Sequence, residues 1–347
     1  MTSYELATQA DDALLRSLLR EHPMESWVTM SMEREPSYFA GMNRFGRDWA
    51  VIARDGATSV GMYACSAQDV FVNGASEELG YLGSLRVCSP YRHRLSVVRE
   101  GYESVRRLAR GSAPSMWFTS IATQNAQARR LLEANLKGMP RYQFANELVT
   151  LSFSKARGRA RSLWKPADLV DLEPMCQFFN EGASEFNFSP VLTPEKAERT
   201  RAGFYVIKDQ GQVVACMALW NQQAFKQVVA RGYRRPLGTL LPVYNAIARS
   251  AGRVVLPRVG RALDQSFLAF LAISPSLALD IVPLIEDALA LCRTPALTMG
   301  LHAEHPWLSK LCRRFRPLRY RTCIYAVSFG ESLALDNRPA QPEVALL

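Results

Sequence analysis

The chain has 347 residues, 42 Lys and Arg against 32 Asp and Glu, a formal net charge of +10 and 48% hydrophobic residues. That length exceeds one ordinary hydrophobic core and predicts two domains, and the apolar fraction excludes a disordered or low-complexity chain. No apolar run approaches the ~20 residues a membrane span needs, and the acidic start, MTSYELATQADDALL, lacks the basic-then-apolar order of a secretory signal, so a cytoplasmic protein with no membrane partner is expected.

In chain order, residues 4–7 read as a short strand. Asp11 or Asp12 can cap a helix running to Glu21, with Leu14, Leu15, Leu18 and Leu19 on its apolar face. Residues 24–43 are mixed and are expected to hold a second short helix. Residues 48–54 and 59–67 read as strands joined at Asp55-Gly56, a strong hairpin signal. Residues 70–72 and Asn73-Gly74 predict another hairpin, leading into a strand over 81–87. Ser89-Pro90 ends that strand, because proline has no ladder donor and restricts the residue before it. Val97, Val98, Tyr102, Val105 and Leu108 recur at helical spacing, and Gly111, Ser112 and Pro114 break the helix. Residues 116–121 are a second run of strand length, and Asn125 opens a helix with Ala128, Leu131 and Leu132. A strand, helix, strand order predicts a parallel pair with a right-handed crossover. Residues 148–153 then close the first domain.

The loop between strand and helix, Tyr91, Arg92, His93 and Arg94, is where chemistry can sit. A helix start offers unpaired backbone N–H groups and a positive dipole end, which suit a phosphate. Two arginines add charge and bidentate donors. The plainer alternative is a basic surface loop.

The run Val87-Cys88-Ser89-Pro90-Tyr91-Arg92-His93-Arg94-Leu95-Ser96-Val97 resembles the acyl-CoA signature of the GNAT superfamily of N-acyltransferases. That signature is a strand ending V-x-x-P, an aromatic, R-x-x-G-x-G/A, and a helix. Asn125-Ala126-Gln127-Ala128-Arg129-Arg130-Leu131-Leu132 is similar to the family's following N-x-x-A-x-x-L-Y. The resemblance covers the first domain. It implies an α/β (α+β) fold of mixed, mostly antiparallel sheets, each with a central parallel pair flanked by helices. It implies acetyl-CoA or another acyl-CoA as co-substrate, no metal, and transfer to an amine acceptor that the sequence does not name. By the same resemblance, backbone N–H groups of Arg92, His93, Arg94, Leu95, Ser96, Val97 and Val98 hold the diphosphate. Leu85, Arg86 and Val87 on the strand edge, with Asn125 and Ala128 opposite, hold the pantetheine arm. Tyr81 and Ser84 are the catalytic candidates, and Trp27, Met30, Met32, Tyr38 and Phe39 line the acceptor pocket or belong to the core. Glu77 and Glu78 are nearby carboxylates, equally read as a solvated strand start. Four positions depart from the family pattern: Leu95 and Val97 replace glycines, Leu132 replaces a tyrosine, and Gly83 replaces a strand glutamate.

The second half repeats the first in outline, with a period of about 180 residues. Residues 204–208 and 213–220 form a strand pair about Gln210-Gly211, and 267–273 with Ser274-Pro275 echo 82–90. Residues 281–291, 297–301 and 324–329 follow as helix, strand and final strand, with an extra helix over 241–250. After Pro275 the chain runs Ser276-Leu277-Ala278-Leu279-Asp280, with no arginine for a phosphate and an aspartate that repels one. The expected organisation is therefore an acyl-CoA domain over 1–154, a basic linker over 155–167, a degenerate second copy over 168–330 and a loose tail over 331–347.

Seven cysteines without a C-x-x-C pair read as core residues in a reducing compartment. His302 and His305 lack the companions a zinc site needs. Two other classes stay open: a non-catalytic acyl-CoA binder or scaffold, and a basic nucleic-acid-associated protein whose arginines gather at 155–161, 231–235 and 313–321. A homodimer is open as well.

Overall fold

The computed structural model describes residues 2–24, 27–108, 114–277, 279–330 and 334–347. The first half holds β1 (Thr2–Leu6), α1 (Asp12–Glu21), β2 (Val28–Glu33), β3 (Arg47–Asp55), β4 (Thr58–Val72), β5 (Ala75–Val87), α2 (Leu95–Leu108), β6 (Trp117–Ala122), α3 (Ala126–Glu133) and β7 (Arg141–Ser154). The second holds β8 (Lys165–Pro166), α4 (Leu172–Ala183), α5 (Pro194–Thr200), β9 (Gly203–Asp209), β10 (Gln212–Trp220), β11 (Gln227–Tyr233), α6 (Leu237–Ser250), β12 (Gln265–Ile273), α7 (Ile281–Leu291), β13 (Ala296–His302), α8 (Trp307–Phe315) and β14 (Leu318–Ser328). The helix breakers Gly111 and Ser112 lie outside the described residues, as does Ala278.

Among the described residues, twelve strands form one sheet in the order β1-β3-β4-β5-β6-β14-β7-β13-β12-β10-β9-β8. The order is a palindrome of the two halves, with one exception. β7 does not close its own half: it pairs with β13, Leu148 opposite His302, and with β14. β14 in turn takes the place beside β6, Thr322 opposite Ala122. Each half thus receives its last strand from the other. Helix α2 packs Val97, Val98, Tyr102 and Val105 on one face of the first half, beside Trp117 and Leu132. Helix α7 does the same in the second half, with Leu284, Ile285, Ala288 and Leu289. On the opposite face α1 buries Leu15, Leu18 and Leu19 against Tyr38, Ile52 and Met62.

Three expectations are corrected. No helix lies over the described part of 24–43; Val28–Glu33 is a strand paired with β11, from Glu33 opposite Gln227 to Val28 opposite Tyr233. V-T-M-S-M-E alternates with the period of a strand. Its polar face holds Glu33, 5% exposed, which pairs with Arg231. The basic linker over 155–167 is docked on α7. Asp287 accepts the backbone N–H groups of Arg161 (2.6 Å), Ser162 (3.1 Å), Leu163 (2.8 Å) and Trp164 (3.1 Å), and the Trp164 indole donates to the Leu284 carbonyl at 3.0 Å. The described part of the tail is not loose: Ala340 and Ala345 are each 2% exposed. Room for it comes from Gly300, where an added Cβ would lie 2.1 Å from a methyl of Val344.

Two stability predictions follow from these contacts. Asp287→Ala strips four N–H groups of their acceptor and is expected to cost about 3 kcal/mol or more in urea unfolding. A loss under about 1 kcal/mol would mean that Trp164 and the arginine contacts hold the linker without the Asp287 carboxylate. Gly61 lies beside β5 where a Cβ would stand 2.2 Å from the Arg86 carbonyl oxygen. Gly61→Ala is therefore expected to destabilise by ~1–3 kcal/mol, read as a fall in Tm.

Candidate functional site

The site begins where two parallel strands part. β5 and β6 pair only from Gly80 opposite Trp117 to Leu82 opposite Thr119. There the Thr119 hydroxyl donates to the Leu82 carbonyl at 2.6 Å. Beyond that point β5 follows β4 and β6 follows β14, so the strands present facing edges at 83–87 and 120–122. The parting has a local cause. The β4–β5 register jumps between Ala64 opposite Gly83 and Met62 opposite Arg86. Two residues, Ser84 and Leu85, therefore oppose one, and Ser84 carries φ of 54°. Such a bulge bends and twists its strand. An extended chain with amides of its own fits between two such edges, and N–H groups at a bulge suit a developing oxyanion.

A cavity of about 1720 Å³ opens from this split. Tyr81, Ser84, Leu85, Arg86 and Val87 line it, as do Arg92, Val97, Val98, Asn125 and Ala128. His93, Arg94, Leu95 and Ser96 sit outside it, on the loop and the first turn of α2. The loop is wound more tightly than a full N–H cradle. The N–H groups of Arg92, Arg94 and Val97 donate to the carbonyls of Ser89, Tyr91 and Arg94. Those of His93, Leu95 and Ser96 make no such turn bond among the described residues. The Arg92 side chain turns back to the Val87 carbonyl (3.1 Å) and to His22 Nδ1 (3.1 Å), and Arg94 lies over the Tyr91 ring at 4.9 Å. Val97, which replaces a glycine of the family pattern, buries its side chain in the core beneath α2. It therefore does not fill the loop. Asn125 caps α3, its Oδ1 accepting the Ala128 N–H at 3.2 Å.

Tyr81 packs on Phe118, ring centroids 5.1 Å apart, and its hydroxyl meets Ser120 Oγ at 2.9 Å. Burial raises its pKa, so near neutral pH the hydroxyl keeps its proton. Glu77 and Glu78 are exposed at the far end of β5, and Glu78 lies 3.7 Å from Arg47; neither lines the cavity. Trp27, Met30, Met32 and Tyr38 do, whereas Phe39 packs against the α1 core. Lys226, Tyr320 and residues 344–347 line the cavity without having been singled out by motif. Lys226 donates to the carbonyls of Ala345 (3.4 Å) and Leu347, and burial pushes its pKa down to about 7. No spacing in the sequence marks it, because its surroundings come from β2, β11 and the tail.

The second half has the matching split, and it is filled. β12 and β13 pair only from Gln265 to Phe267 opposite Ala296 to Thr298. β12 carries the same bulge, at Phe270, with φ of 52°. Here the tail enters. Glu343 accepts the Phe270 N–H at 3.0 Å, and Gln341 accepts the His302 N–H at 3.0 Å. The paired histidines belong to this region as structure: His302 and His305 stack with Phe186 and Trp307.

Several arginines of the groups noted in the sequence have partners within the fold. Arg161 and Arg314 both pair with Glu286, Arg231 with Glu33, and Arg321 with Glu147. Arg157 donates to the carbonyls of Gly252 and Ala251.

No protein-family model and no curated protein matches the chain. Solved structures do. N-myristoyltransferase of Saccharomyces cerevisiae, solved with bound myristoyl-CoA, aligns with 97% of this chain and 87% of its own at a TM-score of 0.61 and 11% identity. A GCN5-related N-acetyltransferase of Anabaena variabilis aligns with 94% of this chain and 72% of its own at a TM-score of 0.52 and 9% identity. A probable N-acyltransferase of Enterococcus faecalis does so over 94% and 72%, at a TM-score of 0.53 and 8% identity. Likeness at such identities is a likeness of fold, and this chain has the mixed α/β fold of these acyltransferase structures, with two similar halves in one sheet.

Proposed function

We propose that the protein is an acyl-CoA-dependent N-acyltransferase, in which an amine attacks the thioester directly. The observation that carries this reading is the open split between β5 and β6, with a bulge at Ser84 and Leu85 on one edge and the cavity behind it. The pantetheine arm lies between the edges and the diphosphate lies at the loop before α2. The backbone N–H groups of the bulge receive the thioester oxygen as charge develops on it. The amine nitrogen bonds to the carbonyl carbon, the C–S bond breaks, and sulfur leaves as the coenzyme A thiolate. Much of the acceleration comes from holding both reactants in one cavity. A cavity of about 1720 Å³ that runs from β5 to the tail has room for an acyl chain longer than acetyl or for a bulky amine.

Lys226 is the proposed proton acceptor. It lines the cavity, and with a pKa of about 7 its amine is free of its proton often enough near neutral pH to take the one the attacking amine releases.

The first test is thermal shift with acetyl-CoA, octanoyl-CoA and myristoyl-CoA. A ligand at ~100 times its Kd raises stability by about 2.7 kcal/mol. Arg92→Ala combined with Arg94→Ala is expected to weaken binding about tenfold through lost charge at the diphosphate. No shift with any acyl-CoA would overturn the reading, and binding without turnover on an amine panel would favour a non-catalytic binder. The second test is a pH–rate profile. Because the neutral amine of Lys226 is the active form, kcat/KM is expected to rise through about pH 7 and level off above it. Lys226→Met should remove that rise and lower kcat by about 10²–10⁴-fold, with acyl-CoA affinity unchanged.

A further inference from the structure

Arg86 projects from β5 just past the bulge, on the face opposite α2. Its neighbour in sequence Val87 packs with the α2 core, whereas Arg86 lines the cavity with Tyr38, Tyr81 and Tyr320. The side chain is half-buried and has no ion pair among the described residues. Its Nε is buried without a hydrogen-bond partner, and the bond it does make, from one terminal nitrogen, goes to the Leu85 carbonyl at 3.0 Å. The titratable groups that act on it are Tyr38 and Tyr320, both neutral at ordinary pH, and burial pulls its pKa down. Tyr38 is 1% exposed, and its hydroxyl is likewise buried without a partner. The Tyr38 backbone is held from outside, because Asp12 on α1 accepts the Tyr38 N–H at 2.8 Å and the Ser37 hydroxyl at 2.7 Å.

A buried guanidinium without a carboxylate is costly, and buried polar groups are normally satisfied. Here two donors stand unsatisfied at one cavity, and Arg86 directly follows the bulge. Both want the same thing, an anionic acceptor with more than one oxygen, and a guanidinium offers such a group two parallel bonds. We infer that Arg86 and Tyr38 form a subsite for a carboxylate on the acceptor, so that the amine acylated here is borne by an amino acid or a similarly acidic small molecule. The inference rests on the acyltransferase reading and departs from the sequence pattern, which places Arg86 with the pantetheine arm.

The test uses a matched pair of product-like probes, N-dodecanoylglycine and N-dodecanoylglycinamide, which differ only in the carboxylate. Affinity is measured by calorimetry, and acyl-CoA affinity is measured alongside. The wild type is expected to bind the carboxylate at least about tenfold more tightly than the amide, as a charge-assisted hydrogen bond requires. In Arg86→Met the two probes should bind within about twofold of each other, Arg86→Lys should keep part of the preference, and acyl-CoA affinity should stay within about twofold of wild type. Tyr38→Phe offers a second route should Arg86→Met fail to fold; it is expected to reduce the preference about threefold. Equal affinity of the wild type for both probes, binding of neither, or a preference that survives Arg86→Met would overturn the subsite while leaving the acyltransferase reading intact. Loss of acyl-CoA affinity in Arg86→Met would also overturn it, by assigning the guanidinium to the donor. Failure of the wild type to bind any acyl-CoA is the separate result that removes the reading beneath it.

Discussion

The exchange of last strands is the constraint on which the rest of the molecule depends. β7 is hydrogen-bonded between β13 and β14, and β14 between β6 and β7. Neither half can complete its sheet from its own chain. The ladders that join them are backbone bonds in a buried sheet, each costly to leave unmade. A sheet built from residues so far apart in sequence forms late, because loop-closure entropy must be met before the pairing is gained. The same exchange fixes what stands beside the first split: β14, from the end of the chain, delivers Tyr320 to a cavity whose other wall is β5.

One device therefore occurs twice, with different outcomes. In both halves a short parallel ladder ends at a bulge with a residue of positive φ, Ser84 and Phe270. In both, the strands then part. In the second half the tail occupies the gap, and the Glu343 carboxylate takes the Phe270 N–H. Burial raises the Glu343 pKa to about 7. A carboxyl held among backbone donors at a bulge is a resident partner for that N–H, and the first half has no such carboxyl at its own bulge among the described residues. The tail that closes one split also reaches the cavity of the other, since Lys226 is bonded to its last residues.

Charge is arranged to the same end. The excess of ten positive charges suggests a polyanion partner when read as composition alone. In the fold some of the arginines serve buried carboxylates: Arg161 and Arg314 clamp Glu286, 1% exposed, and Arg231 serves Glu33. These arginines hold the linker, α7 and the β2–β11 ribbon in place. Arg86 differs from them in that no carboxylate of the described chain answers it.

By itself the sequence determined the local elements around the first split. Proline after β5, the helical spacing from Val97 to Val105 and the capping Asn125 are short-range signals, and each acts within a few residues of where it is read. They gave strand, loop, helix and strand in the right order, and the loop motif gave the resemblance. Val28–Glu33 was legible too, as a period of two, but its length and its polar neighbours masked it. What only the tertiary structure decided is everything that depends on pairing between distant segments. Periodicity states that residues 148–153 are a strand; it does not state which neighbour they take, because the second half offers an edge of the same kind. The docking of the tail rests on the absence of a side chain at Gly300, far from it in sequence. The pKa of Lys226 and the unanswered charge of Arg86 come from burial, and burial is a property of the closed fold and not of any run of residues.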